Sequence, residues 1–351
     1  MQLTRPTLRT AARLGLTAGV VIAGTLLNPF LTAAQAATST VLPLDRAADV
    51  VAVRDRVFVS GGTSSTSVAV TSAAGEVQTV LTGLPGPTDL VVSGDQSTLY
   101  VALPNANQIA AFDTGTLTEF ARYSTGTGAC PSSLALSGRR LFFGYGCGGW
   151  DGNIGVVDLS RQPAVVRLGL STETFYGSPI LATASGNASV LVAAQPGTSP
   201  ASAYAYSVGA GGALTFLRRT EHIATGSNLR DVALGRDGTT VYLAQGAPYG
   251  IQAFLVADMN QQSQFMPTTA YPNAVEVSRD GSLIAAGSDA TYDPDVFVLR
   301  PDGTTVVSFE LGENLVDRAL AWAPGGRRLY AVSQDWFAGP PTLHVLTVPA
   351  S

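Results

Sequence analysis

Lysine is missing from this chain altogether: all 20 of its positive residues are arginines. That excludes Schiff-base chemistry, a lysine nucleophile and any phosphate loop ending in Gly-Lys. Histidine is nearly missing too. His222 and His344 fall in outer-strand patterns, Arg219-Thr220-Glu221-His222-Ile223 and Leu343-His344-Val345. Neither a Ser-His-Asp triad nor a histidine metal site is therefore expected near a central cavity. Charged residues make up only 13% of the chain and form no basic stripe, which disfavours nucleic acid and anionic membranes as partners. Long helical patterns are absent as well.

What is present is a repeat. A short apolar run following a turn recurs seven times, starting at Val57, Leu99, Leu141, Val190, Val241, Leu283 and Leu329. The steps lie between 42 and 51 residues. A period in this range, filled with short strands and the turns that 38 glycines supply, is the signature of a β-propeller. Each run is expected to be the second strand of a blade. Arg236-Asp237-Gly238, Arg279-Asp280-Gly281 and Pro324-Gly325-Gly326 are the hairpin turns before it, with Gly supplying positive φ. The expected fold is all-β: a seven-bladed propeller, four antiparallel strands per blade, over residues 37–351. The last blade runs out of chain after Thr342–Thr347. Thr40-Val41-Leu42-Pro43-Leu44 is expected to supply its outer strand and close the ring, with Pro43 tolerated on an edge.

Residues 1–36 read as a secretory signal peptide. Arg5, Arg9 and Arg13 precede an apolar stretch from Leu14 to Leu27, and Ala34-Gln35-Ala36 is a small-x-small cleavage site. The apolar stretch is short for a membrane span, no second one follows, and no cysteine stands at the cleavage site to take a lipid. The expectation is a secreted, extracellular monomer. Losing the three arginines takes the formal charge from −5 to −8.

Cys130 and Cys147 are the only cysteines, and an even count in an oxidising compartment favours a disulfide. With Gly138-Arg139 as a two-residue hairpin loop, the two cysteines fall opposite each other on the ladder. They then form a non-hydrogen-bonded pair with Cα atoms about 4.5 Å apart. A free-thiol or redox role is the competing reading.

Candidate ligand-contacting residues lie in the loops between second and third strands (B–C loops). They are Trp150 and Asp151 in blade 3, Tyr249 in blade 5, Tyr292 and Asp293 in blade 6, and Asp335 and Trp336 in blade 7. Tyr176 and Tyr271 join them from loops leading into first strands, on the same face. Aromatics beside carboxylates suit stacking on a sugar ring or capture of a peptide; packing over their own blades is the alternative. Asp89, Asp231 and Asp317, with Asn228 and Asn273, are expected where the first strands begin, ringing the central channel. They bond backbone N–H groups there, or serve as paired carboxylates of an axial site. Asp289, Asp293 and Asp295 could offer oxygen ligands to Ca²⁺, but their spacing matches no calcium motif. No other metal or cofactor is expected.

The unit Pro272-Asn273-Ala274-Val275-Glu276-Val277-Ser278-Arg279-Asp280-Gly281 resembles the YVTN-type propeller repeat. The segment from Cys130-Pro131-Ser132-Ser133-Leu134 to Phe143-Gly144-Tyr145-Gly146-Cys147-Gly148 looks like secreted actinobacterial proteins of this type. The resemblance implies a seven-bladed, WD-like propeller and, being architectural, carries over no catalytic residue. Two functions follow. The first is a non-enzymatic binding module for a cell-envelope glycan or surface protein. The second is a secreted hydrolase or lyase with a carboxylate site at the channel, metal-assisted or not.

Overall fold

The computed structural model describes residues 38–220, 226–247, 249–290, 293–335 and 339–349. The expected signal peptide, His222, Tyr292 and Trp336 lie outside them. Seven four-stranded antiparallel sheets form the blades. Numbering strands in chain order, the innermost strands are β2 (Asp49–Ala52), β6 (Leu90–Val92), β10 (Pro131–Ser137), β14 (Ile180–Ala184), β18 (Ser227–Leu234), β22 (Pro272–Val277) and β26 (Leu315–Trp322). The repeated apolar runs are the second strands, as expected, from β3 (Arg56–Ser60) through β11 (Arg140–Tyr145) to β27 (Arg328–Ser333). A second strand is sandwiched inside its own sheet and covered on both faces, so it reads as a continuous apolar run. Val57, Phe58 and Val59 are fully buried.

No blade has a core of its own. The clusters form between neighbours: Val53, Phe58, Val68 and Val70 of blade 1 pack on Leu90, Leu99, Val101 and Leu103 of blade 2. Burying each such side chain contributes roughly 1.5–3 kcal/mol, and every blade needs the next one to gain it. The turns between first and second strands use the expected Asp-Gly chemistry. Gly281 takes a φ of +78°, and the Asp280 carboxylate accepts the Ser282 N–H at 3.0 Å.

The ring closes as expected, with a shift. The outer strand of the last blade is β1 (Thr38–Val41), paired antiparallel to β28 (Thr342–Thr347) with Thr38 opposite Val345. The strand ends before Pro43, earlier than Thr40–Leu44. After a last bond from the Leu42 N–H to the Pro341 carbonyl, the chain turns inward. Leu42 and Leu44 then fill the core between blades 7 and 1 beside Val50, Tyr330 and Leu343. Burying two leucines outweighs extending an exposed edge past a proline.

His344, far from the axis, pins this seam. One ring nitrogen meets the Ser39 hydroxyl at 2.9 Å and the other the Ser333 hydroxyl at 2.7 Å. Ser333 in turn donates to Glu313 at 3.2 Å. Burial pushes the imidazole pKa down to about 4. The unfolded chain, with a histidine near 6.5, takes up a proton that the folded one refuses. Stability from this site is therefore complete above pH 6.5 and lost as pH falls toward 4, by roughly 3 kcal/mol over the window. Replacing it, as in His344→Gln, should lower the melting temperature at pH 7, and the gap to the parent should shrink at pH 4.5. A gap independent of pH would show that His344 does not titrate in this way.

Candidate functional site

The innermost strands converge on the axis, and residues at or near their starts meet there. Asp49 accepts the N–H of its neighbour Val50 at 2.8 Å and that of Leu90 in the next blade at 2.7 Å. Asp89 does the same with Leu90 and with Leu134 of blade 3 (2.6 Å), and Asp231 with Val232 and Val275 of blade 6 (both 2.8 Å). At the same place in blade 3 the Ser133 hydroxyl accepts the Leu181 N–H at 3.0 Å. Each side chain is thus a clasp between consecutive blades. An inner strand is the edge of its sheet, so an N–H that points to the axis finds no neighbour in that sheet, and the preceding blade supplies the acceptor.

Burial at the axis raises the pKa of two of these carboxylates. Burial pushes Asp231 up to about 7. Burial, then the neighbouring Asp89, raises Asp49. Lower in the channel, Glu276 lines the lumen, where desolvation by the surrounding strands, followed by Asp231, raises its pKa. One cation answers them. Burial opposes the charge of Arg318, but Asp89, Asp49, Asp231 and Asp317 outweigh it and hold the guanidinium protonated. Its Nη1 lies 3.8 Å from Asp89.

Two cavities share the axis. A lumen of about 330 Å³ runs between the inner strands, lined by Asp49, Asp89, Asp231, Glu276 and Arg318. Above it opens a mouth of about 710 Å³, lined by lead-in and B–C loops. Its polar wall includes Thr63, Ser64, Thr88, Ser132 and Ser178, with Asn314 and Gln334. Arg230 and Asp317 cross the mouth as an ion pair at 3.1 Å; both are solvent-exposed, so the pair contributes little to stability.

Two aromatic pairs stand on this face, each joining a B–C loop to the lead-in loop of the next blade. Trp150 meets Tyr176 edge-on, centroids 5.6 Å apart, and Tyr249 meets Tyr271 at 5.2 Å. All four are exposed, Trp150 most of all at 70%. The first pair is firmly held. Gly152 and Phe175 exchange two backbone hydrogen bonds of 3.0 Å, and the Gly177 N–H reaches the Gly149 carbonyl at 2.7 Å. The approach requires glycine: a Cβ on Gly152 would sit 1.7 Å from the Gly177 carbonyl oxygen. The Gln195 amide then grips the Tyr176 backbone, accepting its N–H at 2.7 Å and donating to its carbonyl at 2.9 Å.

The disulfide braces the same loop from the other side. Cys130 and Cys147 are bonded, with Cα atoms 5.2 Å apart, so the expected bridge is present and neither thiol is free. The expected ladder position is not. The register of β10 and β11 holds from Ser137–Arg140 to Ser133–Gly144, then slips by one residue, and Pro131 faces Tyr145. Cys130, in the left-handed region at φ +49°, lies beyond the ladder. The proline cannot donate to the ladder and a bulge absorbs the mismatch.

The other expected residues are distributed as follows. Asp335 lines the mouth, while Asp151 and Asp293 are exposed on their loops. Asp317 is not a clasp but the partner of Arg230. Asn273 donates to the Leu315 carbonyl at 2.8 Å, and Asn228 takes a left-handed backbone conformation near the start of β18. Asp289 accepts from Asn314, and Asp295 turns inward to accept the Leu311 N–H at 2.7 Å. Among the described residues no three His, Cys, Asp or Glu side chains gather to hold a metal ion. Sequence reasoning missed Asp49, Gln195 and Arg318. Asp49 had a findable signal, since it precedes a Val-Val pair as Asp231 precedes Val-Ala.

No protein-family model matches the chain, and no curated protein matches it. In fold it is similar to a solved structure of Kuenenia stuttgartiensis hydrazine synthase, with a TM-score of 0.64 and 17% identity, covering 90% of this chain and 99% of that one. At this identity the likeness shows the propeller fold alone.

Two measurements check the site's construction. Asp231→Asn keeps the shape but offers an NH₂ where one N–H needs an acceptor, and should cost about 1–3 kcal/mol in chemical denaturation. No loss would mean that the clasp is dispensable. Removing the disulfide as Cys130→Ser with Cys147→Ser frees a loop of separation 17 and should cost about 3 kcal/mol. An unchanged melting temperature would contradict a bracing role.

Proposed function

We propose that this protein is an exported binding module that takes a cell-envelope glycan or surface protein on the face carrying the mouth and the aromatic pairs. The observation that carries this reading is the Trp150–Tyr176 pair. It is highly exposed, yet its backbone is fixed by three inter-loop hydrogen bonds, the Gln195 clasp and a disulfide. Exposed aromatics on a rigid frame lose little freedom when a partner settles on them. Packing alone does not account for that arrangement, because Trp150 stays 70% exposed and Tyr176 52%. The hydroxyl and amide wall of the mouth supplies hydrogen bonds beside it. The disulfide fits an oxidising compartment, and no helix among the described residues is long and apolar enough to cross a membrane.

The axial carboxylates fit structure better than catalysis in this reading. The oxygens of Asp49, Asp89 and Asp231 accept backbone N–H groups, which leaves them poorly placed to move substrate protons.

Binding to a panel of cell-envelope glycans and proteins should weaken about 30-fold or more in Trp150→Ala and Tyr176→Ala, as for a central aromatic contact. Both variants should melt as the parent does. Binding that survives both substitutions would place the site elsewhere.

A further inference from the structure

Blade 7 departs from the others where its inner strand begins. In blades 3, 5 and 6 the first strand carries a single extra residue at this point, at Ser132, Arg230 and Asn273. In blade 7 Leu315 pairs with Ser333 and Leu320 with Ala331, so four residues oppose Val332 alone. The surplus bows into the mouth, and Val316, Asp317 and Arg318 all line it. Arg318 sits in the left-handed region at φ +63°, a disfavoured setting for a long side chain. Bulges next to functional sites commonly re-aim a side chain, and such backbone outliers cluster there.

The result is an arginine at the neck, lining both lumen and mouth. Among the described residues its guanidinium donates no hydrogen bond, and its contact with Asp89, at 3.8 Å, is longer than one. The surrounding carboxylates hold the charge in place but leave the donors of the planar fork unspent. Arg46, Arg230 and Arg318 line the mouth together with Asp317 and Asp335, Arg230 being paired with Asp317.

We propose that Arg318 reads the carboxylate of a uronic acid whose chain enters over Trp150 and Tyr176, so that the ligand of the mouth is an acidic saccharide. This rests on the aromatic-face reading above. The fork matches a carboxylate in a bidentate pair. With Asp89, Asp49, Asp231 and Asp317 close by, the single negative charge of a carboxylate meets less repulsion than the double charge of a phosphate. The volume of about 710 Å³ lies in the usual range for a small-ligand site.

The test is calorimetric titration of the purified protein with short oligogalacturonates and oligoglucuronates, the same sugars with carboxyl groups reduced to alcohols, and a sugar phosphate. The acid forms should bind about tenfold tighter than the reduced forms, and the phosphate no tighter than the reduced forms. Arg318→Gln should abolish the preference, and Trp150→Ala should weaken acid and reduced forms alike. Where Arg318→Gln lowers the melting temperature, Arg318→Lys carries the test: it keeps the charge, loses the fork, and should lose most of the preference. Equal binding of acid and reduced sugars overturns the inference and leaves the aromatic-face reading standing. So does a preference that survives substitution of Arg318 in a stable protein. If none of these sugars binds while another envelope ligand needs Trp150, only the inference falls. If Trp150 is needed for no ligand, both fall.

Discussion

Around the axis, a carboxylate near the start of one inner strand accepts an N–H from the inner strand of the next blade. Much of this molecule depends on that contact. A propeller must bring seven edge strands together where space is least, and an edge strand carries N–H groups with no partner in its own sheet. Asp49, Asp89 and Asp231 meet the need by spanning two blades each, and Ser133 does so with a hydroxyl. The arrangement has an electrostatic cost, since bringing acids together raises the free energy of their ionised forms. Arg318 offsets it from the centre. The inter-blade cores add the larger, undirected share of stability, but the clasps set how neighbouring blades are aligned.

The upper face follows from the same geometry. Because the blades are held in register at the axis, a B–C loop of one blade and the lead-in loop of the next are brought side by side. Trp150 meets Tyr176 in this way and Tyr249 meets Tyr271, at equivalent junctions two blades apart. The first junction is reinforced by backbone bonds, by Gln195 and by the disulfide. A recurring structural seam is thereby turned, at one place, into a rigid exposed edge beside a deep opening.

The repeat was legible because Leu99-Tyr100-Val101-Ala102 and its counterparts are buried on both faces, and burial of that kind leaves a continuous apolar run. The disulfide was legible from count and hairpin spacing, although the bulge at Ser132 moved both cysteines off the expected rung. Asp89 and Asp231 were legible as strand starts, with their backbone-bonding role among the alternatives considered. Arg318 was not. Its position depends on how many residues bow out of blade 7, and nothing in Leu315-Val316-Asp317-Arg318-Ala319 marks the surplus. Gln195 was equally hidden, because a glutamine ending a strand looks the same whether it faces water or grips a neighbouring backbone.

Closure by β1 fixes more than stability. β28 runs away from the mouth, and β1, antiparallel to it, begins opposite Val345 and climbs back toward Thr342. Thr38 and Thr347 therefore both lie at the face opposite the aromatic pairs. The described propeller thus begins and ends on its underside. A ligand approaching the mouth meets neither end of it, and the whole upper face is left to the loops.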